Sequence, residues 1–384
     1  MREMKDSGID YIGQIPLNWK ECRLKFLCLI TTGNEDTQNS DPDGEFPFYV
    51  RSPIIEKSKK YTFDGEGILV AGDGAGAGRI FHHAYGKYAV HQRVYRLYNF
   101  GFNSNFICYY LSNLFPFEMD KGSAQSTVPS MRLPMLSNFT LFLPELTIAS
   151  KIADFLDQKC SEIDALTADI QTQIETLEEY KKSVITEAVT KGLDPNVEMK
   201  DSGVEWIGKI PEDWCVIPVK FCFSITNGSD PRSDEGDTPV YGSGKGHFKT
   251  CKEFKKGPTV LLGRKGTVNI PQWIEGNYWN VDTAFDVHAK GNYLLKLFFY
   301  AASCFDYDNY STQTALPSMT QSNYLNFRIP FMNVEEQHKI ADFLDQKCSE
   351  IDQTISEKQQ QLETLAEYKK SLIYEYVTGK KEVA

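Results

Sequence analysis

The sequence predicts a mixed α/β (α+β) protein: two similar globular domains of mixed strands and short helices, separated by two long helices. Three observations carry that prediction. The chain is written twice, each copy closes on a near-identical helical block, and short apolar runs that end at glycines precede each block.

The repeat is direct. Residues 4–19 read MKDSGIDYIGQIPLNW and residues 199–214 read MKDSGVEWIGKIPEDW, identical at ten of sixteen positions. Residues 151–164, KIADFLDQKCSEID, recur unchanged at 339–352, and TLEEYKKSVITEAVT at 176–190 returns as TLAEYKKSLIYEYVT at 364–378. Both pairs share an offset of 188, as do QSTVPSM at 125–131 and QTALPSM at 313–319. Four segments follow: globular domains over 1–145 and 199–334, and helical spacers over 146–198 and 335–384.

The spacers carry a helical stripe. In the first, Ile152, Leu156, Ile163, Leu166, Ile170, Ile174, Leu177, Val184 and Ala188 fall mostly at steps of three and four; in the second, Ile340, Leu344, Ile351, Ile355, Leu362, Leu365, Leu372 and Tyr376 do the same. Gly192 and Pro195 stop the first helix and Gly379 the second. Each spans about 40 residues, roughly 60 Å at 1.5 Å per residue. One small domain cannot cover such a stripe, so each helix needs a mate, and the other copy presents the same stripe. The alternative is a solvated linker.

The globular stretches read less sharply. Residues 280–288, NVDTAFDVH, alternate as one strand with Val281, Thr283, Phe285 and Val287 on one face. Residues 67–71 and 259–263 are strand-like, and 105–115 and 293–302 read as short amphipathic helices.

Composition bounds the function. The net charge is −11, but the four segments carry −1, −6, 0 and −4 in chain order. The acidity therefore sits in the spacers. Near-neutral globular domains remain able to bind nucleic acid if their bases cluster on one face. Nine cysteines, with no C-x-x-C, argue for reduced thiols rather than a disulfide framework or a zinc site. The doublet His82–His83 lacks a second histidine at ligand spacing. No apolar run approaches the ~20 residues that span a bilayer, so a soluble cytoplasmic protein with no membrane partner is expected.

Candidate chemistry mostly fails. Residues 72–78, GDGAGAG, match a dinucleotide loop loosely, and the second copy has GRKGTVNI at 263–270, keeping Gly266 against Gly74 but no cofactor pattern. A tight turn that brings backbone near a ligand surface is the better account. The DEGD of 234–237 resembles a helicase box without a phosphate loop, and Asp237, Glu253 and Lys255 mimic a nuclease pattern that the first copy lacks. No Pro-Pro pair of an amino-methyltransferase motif occurs. No catalytic, metal or cofactor residues are assigned.

What remains is a polar recognition surface kept in framework and changed in side chain. Tyr49, Arg51 and Ser52 correspond to Tyr241, Ser243 and the nearby Lys245. The turn with Gly74, Gly76 and Arg79 corresponds to that with Arg264, Lys265 and Thr267. The set His91, Gln92 and Arg93 is matched to Asp282, Thr283 and Ala284, and Gln125 and Ser126 to Gln313 and Thr314. Arginine suits guanine edges, glutamine suits adenine, and aspartate accepts from cytosine. Tyr49 and Tyr241 read equally well as core aromatics.

These motifs together resemble the specificity subunit of type I restriction–modification systems over essentially the whole chain. The resemblance rests on K-D-S-G-x-x-x-I-G-x-I-P-x-x-W at 5–19 and 200–214, on VEEQHKIADFLD at 334–345, and on the doubling. The first copy departs from it, with Thr147-Ile148-Ala149-Ser150 where the second has Glu335-Glu336-Gln337-His338. The resemblance implies two target-recognition domains held apart by antiparallel helices in a pseudo-two-fold tandem repeat. It implies a non-catalytic chain whose partners are double-stranded DNA, two methyltransferase subunits and restriction/translocase subunits. S-adenosylmethionine and ATP would then sit on those partners only. Two unlike copies would read an asymmetric, two-part target, their centres about one DNA turn, roughly 34 Å, apart. The competing readings are an enzyme with its own methyltransferase or nuclease activity, and a coiled-coil scaffold that binds only protein.

Overall fold

The computed structural model describes residues 2–122, 129–308, 310–312 and 317–383. Its six described α-helices are α1 (Ser104–Gly122), α2 (Leu133–Ser137), α3 (Leu146–Lys191), α4 (Leu295–Ser303), α5 (Gln321–Asn326) and α6 (Val334–Val377). The chain forms two compact units, Met1–Ile170 with Gln360–Ala384, and Gln171–Gln359. Each unit thus combines one globular domain, the first half of the long helix that follows it, and the last half of the other long helix.

The first unit holds two four-stranded sheets. One runs in the order Glu56–Ser58, Phe46–Tyr49, Lys87–Val90, Phe63–Asp64, with a parallel pair at its centre; the other runs Leu29–Thr32, Val94–Tyr98, Gly67–Ala71, Phe81–Ala84, all antiparallel. The second unit repeats both orders, with His247–Cys251, Thr238–Tyr241, Asn277–Asn280, Lys255–Lys256, and with Phe223–Asn227, Ala284–Ala289, Thr259–Gly263, Gln272–Ile274. The stretch 280–288 is therefore not one strand. Asn277–Asn280 and Ala284–Ala289 lie in different sheets, and a turn closed by Ala284 N–H on the Val281 carbonyl at 3.1 Å links them. Alternation of side chains could not reveal that break, because it continues through the turn.

The opening motif has a local cause in each unit. Met4–Asp6 pairs with Gln14–Pro16, and Met199–Asp201 with Lys209–Pro211. The Asp6 and Asp201 carboxylates accept from the N–H groups of Gly8 and Gly203 at 3.0 and 2.9 Å. Those two glycines sit at φ +72° and +68°, where a side chain is disfavoured. The tryptophan that ends the motif is buried in both copies, and the helix-terminating glycine packs on it. A Cβ on Gly379 would lie 2.8 Å from Trp19, and one on Gly192 3.2 Å from Trp214.

The long helices are 46 and 44 residues, about 69 and 66 Å, and they pair antiparallel. In the first unit Lys369 of α6 meets Asp164 of α3 at 2.6 Å; in the second, Lys181 of α3 meets Asp352 of α6 at 2.6 Å. These are the same two positions of the repeat. Such half-exposed pairs contribute little to stability, ~0–1 kcal/mol, and fix register. The stripe does the packing. Leu156, Cys160 and Ile163 meet Leu372, Ile373 and Val377 in the first core, and Ile340, Leu344 and Cys348 meet Ile185, Ala188 and Val189 in the second. Leu166, predicted on that stripe, is 47 % exposed. Its equivalent in α6 is Thr354, so the position lies off the buried face.

The helix starts differ as the sequence implied. In the second unit Glu336 accepts from the Trp214 indole at 3.0 Å, and buried Gln337 accepts from Leu294 N–H at 2.6 Å while donating to the Met332 carbonyl at 3.0 Å. The first unit has Ile148 and buried Ala149 at those positions, and the Trp19 indole N–H is buried without a hydrogen-bond partner among the described residues. There Asn103 caps the start of α1 instead, its side-chain amide oxygen accepting from Phe106 N–H at 2.8 Å.

One core position carries opposite charges in the two units. Arg96 and Asp286 occupy it, since they pair with the matched residues Leu69 and Leu261. Arg96 donates to the Tyr88 hydroxyl at 2.8 Å and lies 4.6 Å from the centre of the Phe63 ring. Asp286 is fully buried. It accepts from the matched Tyr278 at 2.8 Å, from Thr259 at 2.7 Å, and from Lys255, which replaces Phe63, at 3.1 Å. Each charge is satisfied by its own neighbours, as burial requires. The alternating pattern put Asp286 on the face opposite Phe285 and Val287, and its partners show that this face is buried here as well.

Two expectations follow. Asp286→Ala leaves Lys255 without its buried counter-ion and the Tyr278 hydroxyl without its acceptor, and should destabilise the chain by about 3–5 kcal/mol. Leu344→Ala in the α6 stripe should cost about 2–5 kcal/mol, whereas Leu166→Ala should stay within about 1 kcal/mol. Unfolding midpoints in denaturant check both, and equal costs for the two leucines would contradict the assigned helix face.

Candidate nucleic-acid interface

In each unit a three-residue link carries the chain from one four-stranded sheet to the other, and the strand ends beside it are bonded through their backbones. In the first unit His91 N–H donates to the Tyr49 carbonyl at 3.0 Å, Gly72 N–H to the Arg93 carbonyl at 2.8 Å, and Met131 N–H to the Gly72 carbonyl at 2.8 Å. In the second, Val281 N–H donates to Tyr241 at 3.0 Å, Arg264 N–H to Thr283 at 2.7 Å, and Met319 N–H to Arg264 at 2.9 Å. The two cradles are the same object built from different residues.

This equivalence corrects one expected match. Residues 91–93 correspond to 281–283, not to 282–284, because Val94 pairs with Ala71 and Ala284 with Gly263. The side chains of the link share nothing between copies, so similarity alone could not set the register. The match of Gly74 with Gly266 holds: they sit at φ +75° and +82°, and the bridges of Asp73 to Ser130 and of Lys265 to Ser318 are equivalent.

The linings differ. In the first unit the Asp73 carboxylate takes Arg51 on one oxygen at 3.0 Å and Arg93 on the other at 2.7 Å. Burial works to raise this carboxyl, but the two guanidinium bonds outweigh it and hold it below its ordinary range. Gln92 donates to Asp36 at 2.8 Å. His91 is buried, and burial, with Arg51 nearby, holds its imidazole below the ordinary value, so neutral Nδ1 can accept from Arg93 N–H at 3.0 Å. A cleft of about 190 Å³ lies here, bounded by Asp73, Gln92, Arg93, Tyr95 and Ser130. In the second unit Lys265 stands where Asp73 does, exposed to solvent, and Asp282 stands where Gln92 does. Arg264 donates to the Asp282 carbonyl at 3.2 Å, with the carboxylate 3.7 Å away.

The other predicted residues divide. Tyr49 belongs to the core, edge-on to Tyr88 at 5.7 Å, and with His91 it builds the scaffold rather than the surface. Ser52 caps its own turn, accepting from Ile54 N–H at 3.1 Å. A Cβ on Gly76 would lie 2.9 Å from the Arg51 carbonyl, so the glycine permits a close backbone approach. Arg79 turns away from the cleft to pair with Asp120 near the end of α1. Tyr241 is half-buried beside His247, Ser243 is half-buried, and Lys245 is exposed in the turn before His247–Cys251. Thr267 and Thr283 act through their positions: their carbonyl and hydroxyl would meet a Cβ on Gly263 and Gly242 at 2.1 and 3.0 Å. Gln125, Ser126, Gln313 and Thr314 lie outside the described residues.

Sequence reading missed Asp73, Asp36 and Gln272. Asp73 was hidden in a glycine run read for its backbone. Gln272 is buried and pins the turn that carries Ser243 and Lys245, donating to Gly242 at 2.8 Å and accepting from Gly246 at 3.0 Å. No local signal marks it.

A Cβ on Gly72 would lie 2.8 Å from the Arg93 carbonyl. Gly72→Ala should therefore cost about 1–3 kcal/mol. Gly74→Ala meets no atom within 4 Å but holds φ +75°, and should cost about 1–2 kcal/mol. Thermal unfolding of the two variants, with DNA binding measured alongside, checks both; an unperturbed Gly72→Ala chain would show that the cradle is looser than its bonds indicate.

Comparison with known proteins places these features in a wider set. Residues 16–176 and 211–364 match the type I restriction modification DNA specificity domain. The type I restriction enzyme EcoDI specificity subunit of Escherichia coli is 24 % identical over 181 residues, which are 47 % of this chain and 40 % of that protein. The type I restriction enzyme MjaVIII specificity subunit of Methanocaldococcus jannaschii is 24 % identical over 428 residues, 96 % of this chain and 94 % of its own. The chain thus spans under half of the first relative and nearly all of the second. A solved chain from a structural account of complex assembly and conformational transition of the type I R-M system superposes with a TM-score of 0.67 at 13 % identity, over 94 % of this chain and 98 % of that one. That likeness concerns the fold.

Proposed function

Because the chain belongs to the type I restriction–modification DNA specificity family, we propose that it reads DNA for a type I complex through two unlike recognition units and carries out no chemical step itself. The repeated cradle carries this reading. One backbone arrangement presents Arg51, Asp73, Gln92 and Arg93 in the first unit and Ser243, Arg264, Lys265 and Asp282 in the second. A fixed backbone with exchanged donors and acceptors is what reading two base sequences requires, since base edges differ in their donor and acceptor pattern. The target is then split and asymmetric.

The partners in this reading are double-stranded DNA, two methyltransferase subunits and restriction/translocase subunits. In this reading S-adenosylmethionine and ATP are bound by those partner subunits only. No described helix is long and apolar enough to cross a membrane, and in this reading the complex works beside its DNA, in the cytoplasm.

Methylome sequencing of a host carrying this chain and its methyltransferase tests the reading. The expected motif has two unlike parts separated by unread bases, with adenines modified in both. A palindromic or uninterrupted motif would overturn it, and methyl transfer by the purified chain alone would overturn the non-catalytic role. The helices supply a second test. About one turn, ~4 residues, inserted between Asp164 and Lys181 in α3 and between Asp352 and Lys369 in α6 keeps both ion pairs and should lengthen the unread spacer. An unchanged spacer would count against helix length as its measure.

A further inference from the structure

We propose that Asp73 is the positioning residue that sets the base preference of the first unit, holding Arg51 and Arg93 for a guanine edge. The first unit's part of the target then contains a G·C pair whose discrimination from A·T depends on this carboxylate. The inference rests on the DNA-reading function proposed above.

The geometry singles out this residue. Each Asp73 oxygen takes a single N–H, from Arg51 at 3.0 Å and from Arg93 at 2.7 Å. A guanidinium has five such donors in a planar fork, so each arginine keeps donors for the O6 and N7 acceptors that guanine presents in the major groove. The Asp73 side chain is only 15 % exposed, while those of Arg51 and Arg93 are 42 % and 63 % exposed. The acid lies behind and the donors lie in front.

Arg93 is held at its backbone as well. Its N–H donates to His91 Nδ1 at 3.0 Å, and its carbonyl accepts from Gly72 N–H at 2.8 Å. Gly72 is needed there, because a Cβ would crowd that carbonyl. An arginine fixed in advance loses less freedom on binding, so its contact discriminates more sharply. The opposing negative charge also withholds a purely electrostatic grip on phosphate, which every sequence offers equally.

The second unit makes the contrast. Lys265 replaces Asp73, Ser243 replaces Arg51 and Thr283 replaces Arg93. The clamp is a property of the first lining and not of the shared fold.

The test is methylome sequencing of hosts carrying the full chain with its methyltransferase, unmodified or as Asp73→Asn. The unmodified chain should give a split motif with a G·C pair required in one part. In Asp73→Asn, sites with A·T at that pair should become methylated, with discrimination falling about 10- to 100-fold, and the other part should stay strict. The strict part shows that the variant is folded and assembled, which a merely structural loss would not leave intact. If Asp73→Asn abolishes methylation, Arg93→Lys decides. It keeps the charge and loses the fork, so a relaxed G·C pair in one part supports the inference and an unrelaxed motif overturns it. A split motif unchanged by Asp73→Asn, relaxation in both parts, or no G·C pair in either part also overturns it. Only a motif that is not split, from the unmodified chain, would take the DNA-reading function down with it.

Discussion

An apolar stripe running the length of a 46-residue helix is more surface than one small domain can cover. α3 and α6 cover each other along it, and each globular core continues onto both. Leu156 and Ile163 join Leu372 and Val377 in one cluster, and Ile340 and Leu344 join Ile185 and Val189 in the other. At about 1.5–3 kcal/mol for each large aliphatic side chain buried, this seam is a main part of what holds each unit together. Neither core is contiguous in sequence, since each needs one helix from its own copy and the end of the helix from the other. The unchanged stretch at 151–164 and 339–352 reflects this demand: the same packing problem is solved twice with the same residues.

With the frame fixed in this way, the variation at the link falls largely where side chains do not carry the fold, whereas the core exchange of Arg96 for Asp286 needs matched neighbours. The links at 91–93 and 281–283 are held through backbone N–H and carbonyl groups, which every residue type supplies. A cradle built so can exchange Gln92 for Asp282, or Arg93 for Thr283, at little structural cost. The burden falls on glycines such as Gly72 and Gly263, on the buried Tyr49, and on Gln272 and His91, whose side chains brace the turns.

Much of this was legible in the sequence. The duplication, the long helices, their mutual pairing and their terminating glycines follow from periodicity and from residues with special backbone freedom. The polar loops were legible as regions, because residues that differ between otherwise matched copies stand out. Finer features were not. The break within 280–288 keeps the side-chain alternation of a strand. The register of the link depends on strand pairing that no local similarity records. Nothing in the alternation around Asp286 marks it as buried until Tyr278, Thr259 and Lys255 are seen around it. Asp73 reads as part of a glycine turn until Arg51 and Arg93 arrive from 22 and 20 residues away. In each case the missing information is a partner distant in sequence.

The opposite charges at Arg96 and Asp286 bear on how such a chain can change over generations. A recombination joint between the positions of Phe63 and Arg96 would bring Arg96 against Lys255, or Asp286 against Phe63, leaving two cations together or an anion with one ligand fewer. A joint inside the fourteen residues common to 151–164 and 339–352 leaves each of these buried pairings whole, because both members lie on the same side of it. Exchange of an entire head therefore keeps these buried charges matched and a mosaic across them does not, so new specificities are expected to arise in whole-domain steps.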